Sequence, residues 1–197
     1  MVRFFQFVSL VISFIYIVFY FKGGTAPAKD AKRAATTKTG SFYSILALLM
    51  GIIGALILLT QILTCFGIIL SPLSVQYPFL VYSGTLLFAF GICSAFIIRM
   101  RILGKYWSGA IEIKNDHQIK DTGIYAYIRH PLYMVTTFIY IGLSFSFPYW
   151  WNFLFATMML VGYIIITILE DEYLKTNLPA YQEYCRKVRY RWIPGIW

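Results

Sequence analysis

Read for hydrophobic and polar positions alone, the chain alternates long apolar runs with short polar segments. Three runs carry no charged residue: 4–21, 41–98 and 131–169, of 18, 58 and 39 residues. A helix needs about 20 residues to cross the hydrocarbon core of a bilayer. The first run therefore holds one span, and the other two hold two each. Prolines mark the internal breaks, because a proline lacks the N–H that a helix interior requires. They stand at Ser71-Pro72 and Tyr77-Pro78 in the long run and at Phe147-Pro148-Tyr149 in the last. The pattern predicts an all-α polytopic membrane protein, a single domain over 1–197. Its five transmembrane helices fall at about 4–21, 42–70, 78–98, 131–147 and 150–169. The first run is too long and too rich in bulky aromatics for a secretory signal, so it is read as a retained span despite Ala26-Pro27-Ala28 after it.

Composition supports a lipid environment. Hydrophobic residues make up 59% of the chain and charged ones 13%, about half the usual charge content of a soluble domain. The net charge of +9 does not point to nucleic acid, because the bilayer accounts for where the charges lie. Apart from Arg3, every charge falls in 22–38, 99–129 or 170–191, and these segments hold 16 of the 17 basic residues. With five spans, all three lie on one side of the membrane. The positive-inside rule makes that side cytoplasmic, with the N-terminus outside and the C-terminus inside. Cys65, Cys93 and Cys185 form no metal-binding or disulfide pattern.

A charged ligand needs polar groups, so a site is expected in the cytoplasmic segments 104–133 and 170–197. Pro131 suits the first position of a helix, which places Arg129 and His130 just outside the fourth span, beside its positive dipole end. Gly123, in Asp-Thr-Gly, reads as a turn glycine with positive φ. Glu170-Asp171-Glu172 is expected at the C-terminal end of the fifth span. Carboxylates there oppose the helix dipole and call for partners such as Arg129 or ligand hydroxyls. Beyond them, Leu174, Leu178, Tyr181, Cys185 and Val188 recur at helical spacing. Pro179 is expected to divide this tail into two short helices, with Trp192 and Trp197 at the membrane interface and the tail docked on the membrane or folded over the site. His117 and His130 have no carboxylate at metal-ligand spacing, and no metal is expected.

These motifs in combination resemble the isoprenylcysteine carboxyl methyltransferase family. The resemblance rests on Gly-Ile-Tyr-Ala-Tyr-Ile-Arg-His-Pro-Leu-Tyr at 123–133, Glu170-Asp171 with Leu174, and Tyr181 with Tyr184. It covers about the C-terminal half, from Gly104 onward, in the manner of a short prokaryotic member. It implies methyl transfer from S-adenosylmethionine, bound at the cytoplasmic edge, to a lipophilic or prenylated acceptor such as the carboxylate of an isoprenylcysteine. By the same resemblance His117, Gln118, Ile119, Lys120, Tyr125, His130, Pro131, Leu132, Tyr133 and Glu170 line the cofactor pocket. Asp171 stands where the family usually has a second Glu. One turn before Glu170, enzymes acting on prenylcysteine carry an arginine for the substrate carboxylate; this chain has Ile166, and Arg129 is the replacement substrate-binding residue. No side chain is assigned a catalytic role, since an ionised carboxylate needs no base and catalysis comes from positioning and dehydration. Tyr125 and Tyr133 would face the sulfonium by cation–π contact.

Two other classes compete. Membrane sterol reductases have a similar C-terminal arrangement but use NADPH, whose phosphates call for clustered arginines; residues 104–169 offer Lys105, Lys114, Lys120 and Arg129. A non-enzymatic membrane module is the third class, and Gln61 and Asn152 within the spans give little for transport. Gly51, Gly54, Gly84 and Gly91 are available for helix packing or dimerisation, so the oligomeric state stays open, as does the acceptor.

Overall fold

The structure, a computed structural model, describes residues 1–22, 32–33, 38–104, 112–113 and 119–197. The helices in chain order are α1 (Val2–Lys22), α2 (Lys38–Cys65), α3 (Pro72–Gln76), α4 (Pro78–Ile97), α5 (Pro131–Ser146), α6 (Trp150–Asn177) and α7 (Pro179–Lys187). A π-helical turn, Ile98–Leu103, extends α4, and a 3-10 turn, Gly123–Ala126, precedes α5. Two-residue strands pair antiparallel, Lys32 opposite Ile113 and Arg33 opposite Glu112. The all-α class holds otherwise.

Proline opens α3, α4, α5 and α7, at positions where its missing N–H costs nothing. Four helical stretches are long and apolar enough to cross a membrane: Val2–Phe19, Ser41–Cys65, Pro78–Leu103 and Trp150–Asn177. Between the last two lies α5, a shorter apolar helix of 16 residues. At about 1.5 Å per residue it covers roughly 24 Å of a core about 30 Å thick. Large apolar side chains such as Phe4, Leu48 and Leu86 are 65–67% exposed, as lipid-facing residues are. The protein is an integral membrane protein.

The expected boundaries change in two places. The second span ends at Cys65, and α3 occupies part of the link to α4. The acids at 170–172 do not end a helix, because α6 runs on to Asn177. The tail therefore contributes one separate helix, α7, which begins at Pro179.

Glycine sets the tightest contact, between α4 and α5. A Cβ on Gly142 would lie 2.5 Å from the Phe88 backbone N, one on Gly91 would lie 2.8 Å from Ile139, and one on Gly84 would collide with the Ser146 backbone N. Their absence lets the two backbones approach, and Phe88, Val135, Ile139, Leu143 and Phe147 fill the core around them. Gly51 and Gly54 have nothing within 4 Å of a built Cβ, so they do no such packing in this chain.

At the end of the bundle remote from the charged segments, polar side chains pin the helices together. Gln6, an amide the sequence reading passed over, donates to the Ser146 carbonyl at 3.2 Å. Ser9 shares a hydrogen bond with Thr85 at 3.0 Å, and Ser13 donates to Gln61 at 2.8 Å. These are satisfied interhelical contacts of the kind worth about 0.6 kcal/mol each in a membrane.

Gly142→Val should lower the melting temperature of the detergent-solubilised protein clearly, with a cost of about 1–3 kcal/mol or more from overpacking. Gly51→Ala should leave it unchanged. Equal melting of the Gly142 variant and the parent would remove glycine as the cause of the α4–α5 approach.

Candidate functional site

The site forms where three segments meet: the turn leading into α5, the C-terminal part of α6, and the chain after α7. Gly123 makes the first segment possible. Its φ is +62°, as expected for a turn glycine, and it starts the 3-10 turn that buries Tyr125. The chain then runs through Arg129 and His130 into Pro131, the first residue of α5.

Asp171 on α6 is 1% exposed and accepts from four side chains. Its Oδ1 accepts from His130 Nε2 at 2.8 Å, Tyr181 Oη at 2.7 Å and Arg129 Nε at 3.3 Å. Its Oδ2 accepts from Arg129 Nη2 at 2.7 Å and Arg191 Nε at 2.8 Å. Lys175, one turn further along α6, places Nζ 3.7 Å from Oδ2. A buried carboxylate needs this company, because an unpaired one would neutralise instead.

The segment after α7 is bound to the same place by backbone. Arg129 N–H donates to the Tyr190 carbonyl at 3.0 Å and His130 N–H to the Arg191 carbonyl at 2.9 Å. Arg129 Nη1 donates to the carbonyls of Val188 and Arg189 at 2.7 and 2.8 Å. Tyr184 Oη donates to the Tyr125 carbonyl at 2.7 Å. Trp192 is buried against α6, its indole N–H donating to Thr167 at 3.0 Å. That corrects the interfacial position expected for it: a buried indole N–H needs an acceptor, and Thr167 provides one.

Glu170, the neighbour of Asp171, has a different environment. Its side chain is 26% exposed, and Oε2 lies 3.4 Å from His130 Nδ1. Tyr133 hydrogen-bonds to it. Burial first, and then the charge of Glu170, push the Tyr125 phenol far above its usual range, so it keeps its proton. Burial works against a charged imidazole at His130. The hydrogen bonds and charges of Asp171 and Glu170 outweigh it, and the pKa rises above its ordinary 6.5. With a carboxylate at each ring nitrogen, the imidazolium is the form that satisfies both.

Of the residues expected to line the cofactor pocket, Tyr125, His130, Tyr133 and Glu170 are thus brought together. Pro131 and Leu132 begin the helix beneath them. Ile119 packs against the cluster of Leu174, Tyr181, Tyr184 and Val188, and Lys120 is exposed. His117 and Gln118 lie outside the described residues. The carboxylate that Arg129 holds is that of Asp171. Ile166 is 5% exposed in an apolar cluster with Met50, Met159, Tyr43, Tyr133, Tyr140 and Tyr163. Rings continue inward from the site, His130 stacked on Tyr133 at 5.7 Å, Tyr133 beside Tyr163 at 5.6 Å, and Tyr163 beside Tyr140 at 6.2 Å. Among the described residues no group of three or more His, Cys, Asp or Glu side chains is arranged to hold a metal ion.

Sequence reasoning did not single out Asp171, Tyr181 and Arg191 as one cluster. The available signal was the neighbouring pair of acids followed by a tyrosine ten residues on. Compared with known families, the sequence matches the model of the phospholipid methyltransferase family over residues 79–180, just over half of the 197-residue chain. A search of curated proteins found no match.

Removing the Asp171 charge should be severe. Asp171→Asn leaves Arg129 buried without its counter-ion and His130 with Glu170 alone, which costs about 3–5 kcal/mol, read as a large drop in melting temperature. The His130 contribution has a sign. A group whose pKa is raised on folding stabilises fully below its unfolded value, here 6.5, and that part is lost as pH rises through the higher folded value. Melting curves should therefore decline from pH 6 upward in the parent and decline less in His130→Gln; parallel curves would contradict the charged imidazole.

Proposed function

The chain belongs to the phospholipid methyltransferase family, a family of the isoprenylcysteine carboxyl methyltransferase superfamily, and from that premise we propose that it transfers a methyl group from S-adenosylmethionine to a lipophilic acceptor at the edge of the membrane. Membrane methyltransferase activity follows from the family; the cofactor site, the acceptor and the topology are the proposal. The observation that carries it is the Glu170 environment: a part-exposed carboxylate gathered with Tyr125, His130 and Tyr133.

These residues fit the cofactor. Glu170 keeps exposed carboxylate surface that can accept from ribose hydroxyls or the adenine amine, and the phenol rings offer neutral π faces to a cation. His117, Gln118, Ile119, Lys120, Pro131 and Leu132 complete the proposed pocket. When bound, the cofactor supplies a methyl group on a positively charged sulfur. The protein's own contribution is to hold the reactants in line and keep water out. Asp171 fixes Arg129 and His130, and His130 in turn holds Glu170.

The same contacts bear on the acceptor. A carboxylate acceptor of the isoprenylcysteine type needs a cation beside it. Arg129 donates its Nε, Nη1 and Nη2 groups to Asp171 and to two backbone carbonyls, and the position one turn before Glu170 is Ile166, among aromatic and apolar side chains. Arg129 is accordingly proposed as a positioning residue. The acceptor is proposed to carry an uncharged nucleophile, an amine being the plainest, on a hydrophobic body that enters along the Tyr133–Tyr163–Tyr140 rings. With α5 counted as a shortened fifth crossing, the proposed topology has the single domain's charged face and C-terminus in the cytoplasm and the N-terminus outside.

Calorimetry with S-adenosylhomocysteine on detergent-purified protein tests the cofactor reading. The expectation is micromolar binding that weakens at least about tenfold in Glu170→Gln, with no heat from NADPH. Folded protein that binds neither compound would overturn it. With radiolabelled cofactor, incorporation into amine-headed lipids but not prenylcysteine acids is the expected acceptor pattern.

A further inference from the structure

Ala126, Tyr127, Pro194 and the stretch from Lys187 to Tyr190, whose backbone clamps Arg129, line an open cleft of about 210 Å³. Two of its lining residues, Lys187 and Arg189, are exposed cations, and neither enters an ion pair among the described residues. Around the cleft, apolar and aromatic side chains stand in the open: Tyr127 at 70% exposure, Tyr190 at 39%, Ile193 at 45% and Ile196 at 77%. The cleft also adjoins an apolar segment, since Tyr127 precedes Pro131, the start of the apolar helix α5, by four residues.

Two cations at the lining and hydrocarbon around the rim are the complement of one kind of molecule. We propose that this cleft binds the phosphate headgroup of an anionic phospholipid, with Lys187 and Arg189 on the phosphate and the exposed tyrosines and isoleucines against the glycerol and upper acyl chains. A soluble phosphate would leave the apolar rim without a partner, and a zwitterionic headgroup brings no net charge to the two cations. The cleft is separate from the proposed cofactor pocket but shares a wall with its support. The carbonyls of Val188, Arg189 and Tyr190 all accept from Arg129. A lipid held here stiffens the strand that keeps Arg129 against Asp171.

The test uses the full chain in neutral detergent with excess phosphatidylcholine and measures retained fluorescent phosphatidylglycerol. Lys187→Gln and Arg189→Gln should each reduce retention at least about threefold, and the double variant about tenfold. Arg186→Gln removes the same charge from the exposed face of α7, outside the cleft, and should retain lipid as the parent does. Millimolar inorganic phosphate should not displace the lipid. Unchanged retention in the double variant overturns the proposal. So does an equal loss in Arg186→Gln, which would mean diffuse attraction, or full displacement by inorganic phosphate, which would mean a soluble ligand. The melting temperature of each variant in detergent reports folding without reference to any cofactor, and S-adenosylhomocysteine binding, measured separately, keeps failure here distinct from failure of the methyltransferase reading.

Discussion

One buried negative charge organises the functional end of this protein. Asp171 takes hydrogen bonds from Arg129, His130, Tyr181 and Arg191, and these residues come from three separate stretches of chain. Such a cluster cannot be half made. Removing a carboxylate from water costs several kcal/mol, and only well-placed donors offset it. The turn before α5, the body of α6, α7 and the segment after it must therefore settle together. Tyr181 and Arg191 belong to the C-terminal tail, so the tail is part of the site's frame.

The frame depends in turn on how closely the helices pack above it. The missing Cβ atoms of Gly84, Gly91 and Gly142 bring α4 and α5 together, and the Gln6, Ser9 and Ser13 contacts hold the opposite end. The start of α5 is thereby fixed, and with it the position of Arg129 and His130 against α6. The first residue of α5, Pro131, sits where the apolar sequence begins, so the charged pair before it is held directly at the end of that apolar helix.

Features that depend on one stretch of sequence were legible. Apolar run lengths gave the four long apolar helices and the shorter α5, prolines gave helix starts, and Asp-Thr-Gly gave the positive φ at Gly123. Features that depend on several distant stretches were not. Nothing local says that Gly142 rather than Gly51 packs against a neighbour, because that depends on what lies opposite. The extension of α6 to Asn177 was missed because three acids look like a helix end until their partners are known. Asp171 read as a mild departure from a family pattern, whereas its partners lie 42 residues before it and 10 and 20 residues after it. Trp192 looked like an interfacial anchor for the same reason, its acceptor Thr167 being on another element.

Adjacent carboxylates on a helix point about 100° apart, and this chain uses the difference. Asp171 turns into the protein and is consumed by fixed donors; Glu170 stays 26% exposed. His130 joins them, with Nε2 2.8 Å from Asp171 and Nδ1 3.4 Å from Glu170. The imidazolium is thus held firmly on one side and loosely on the other. A cationic ligand arriving at Glu170 would meet a carboxylate already positioned, yet only weakly satisfied by its nearest positive neighbour. Because the strong contact is with Asp171, His130 can yield at Glu170 without letting go of the frame. A structural charge and an available one are in this way linked through a single ring, so the scaffold holds Glu170 in place without exhausting its capacity to bind.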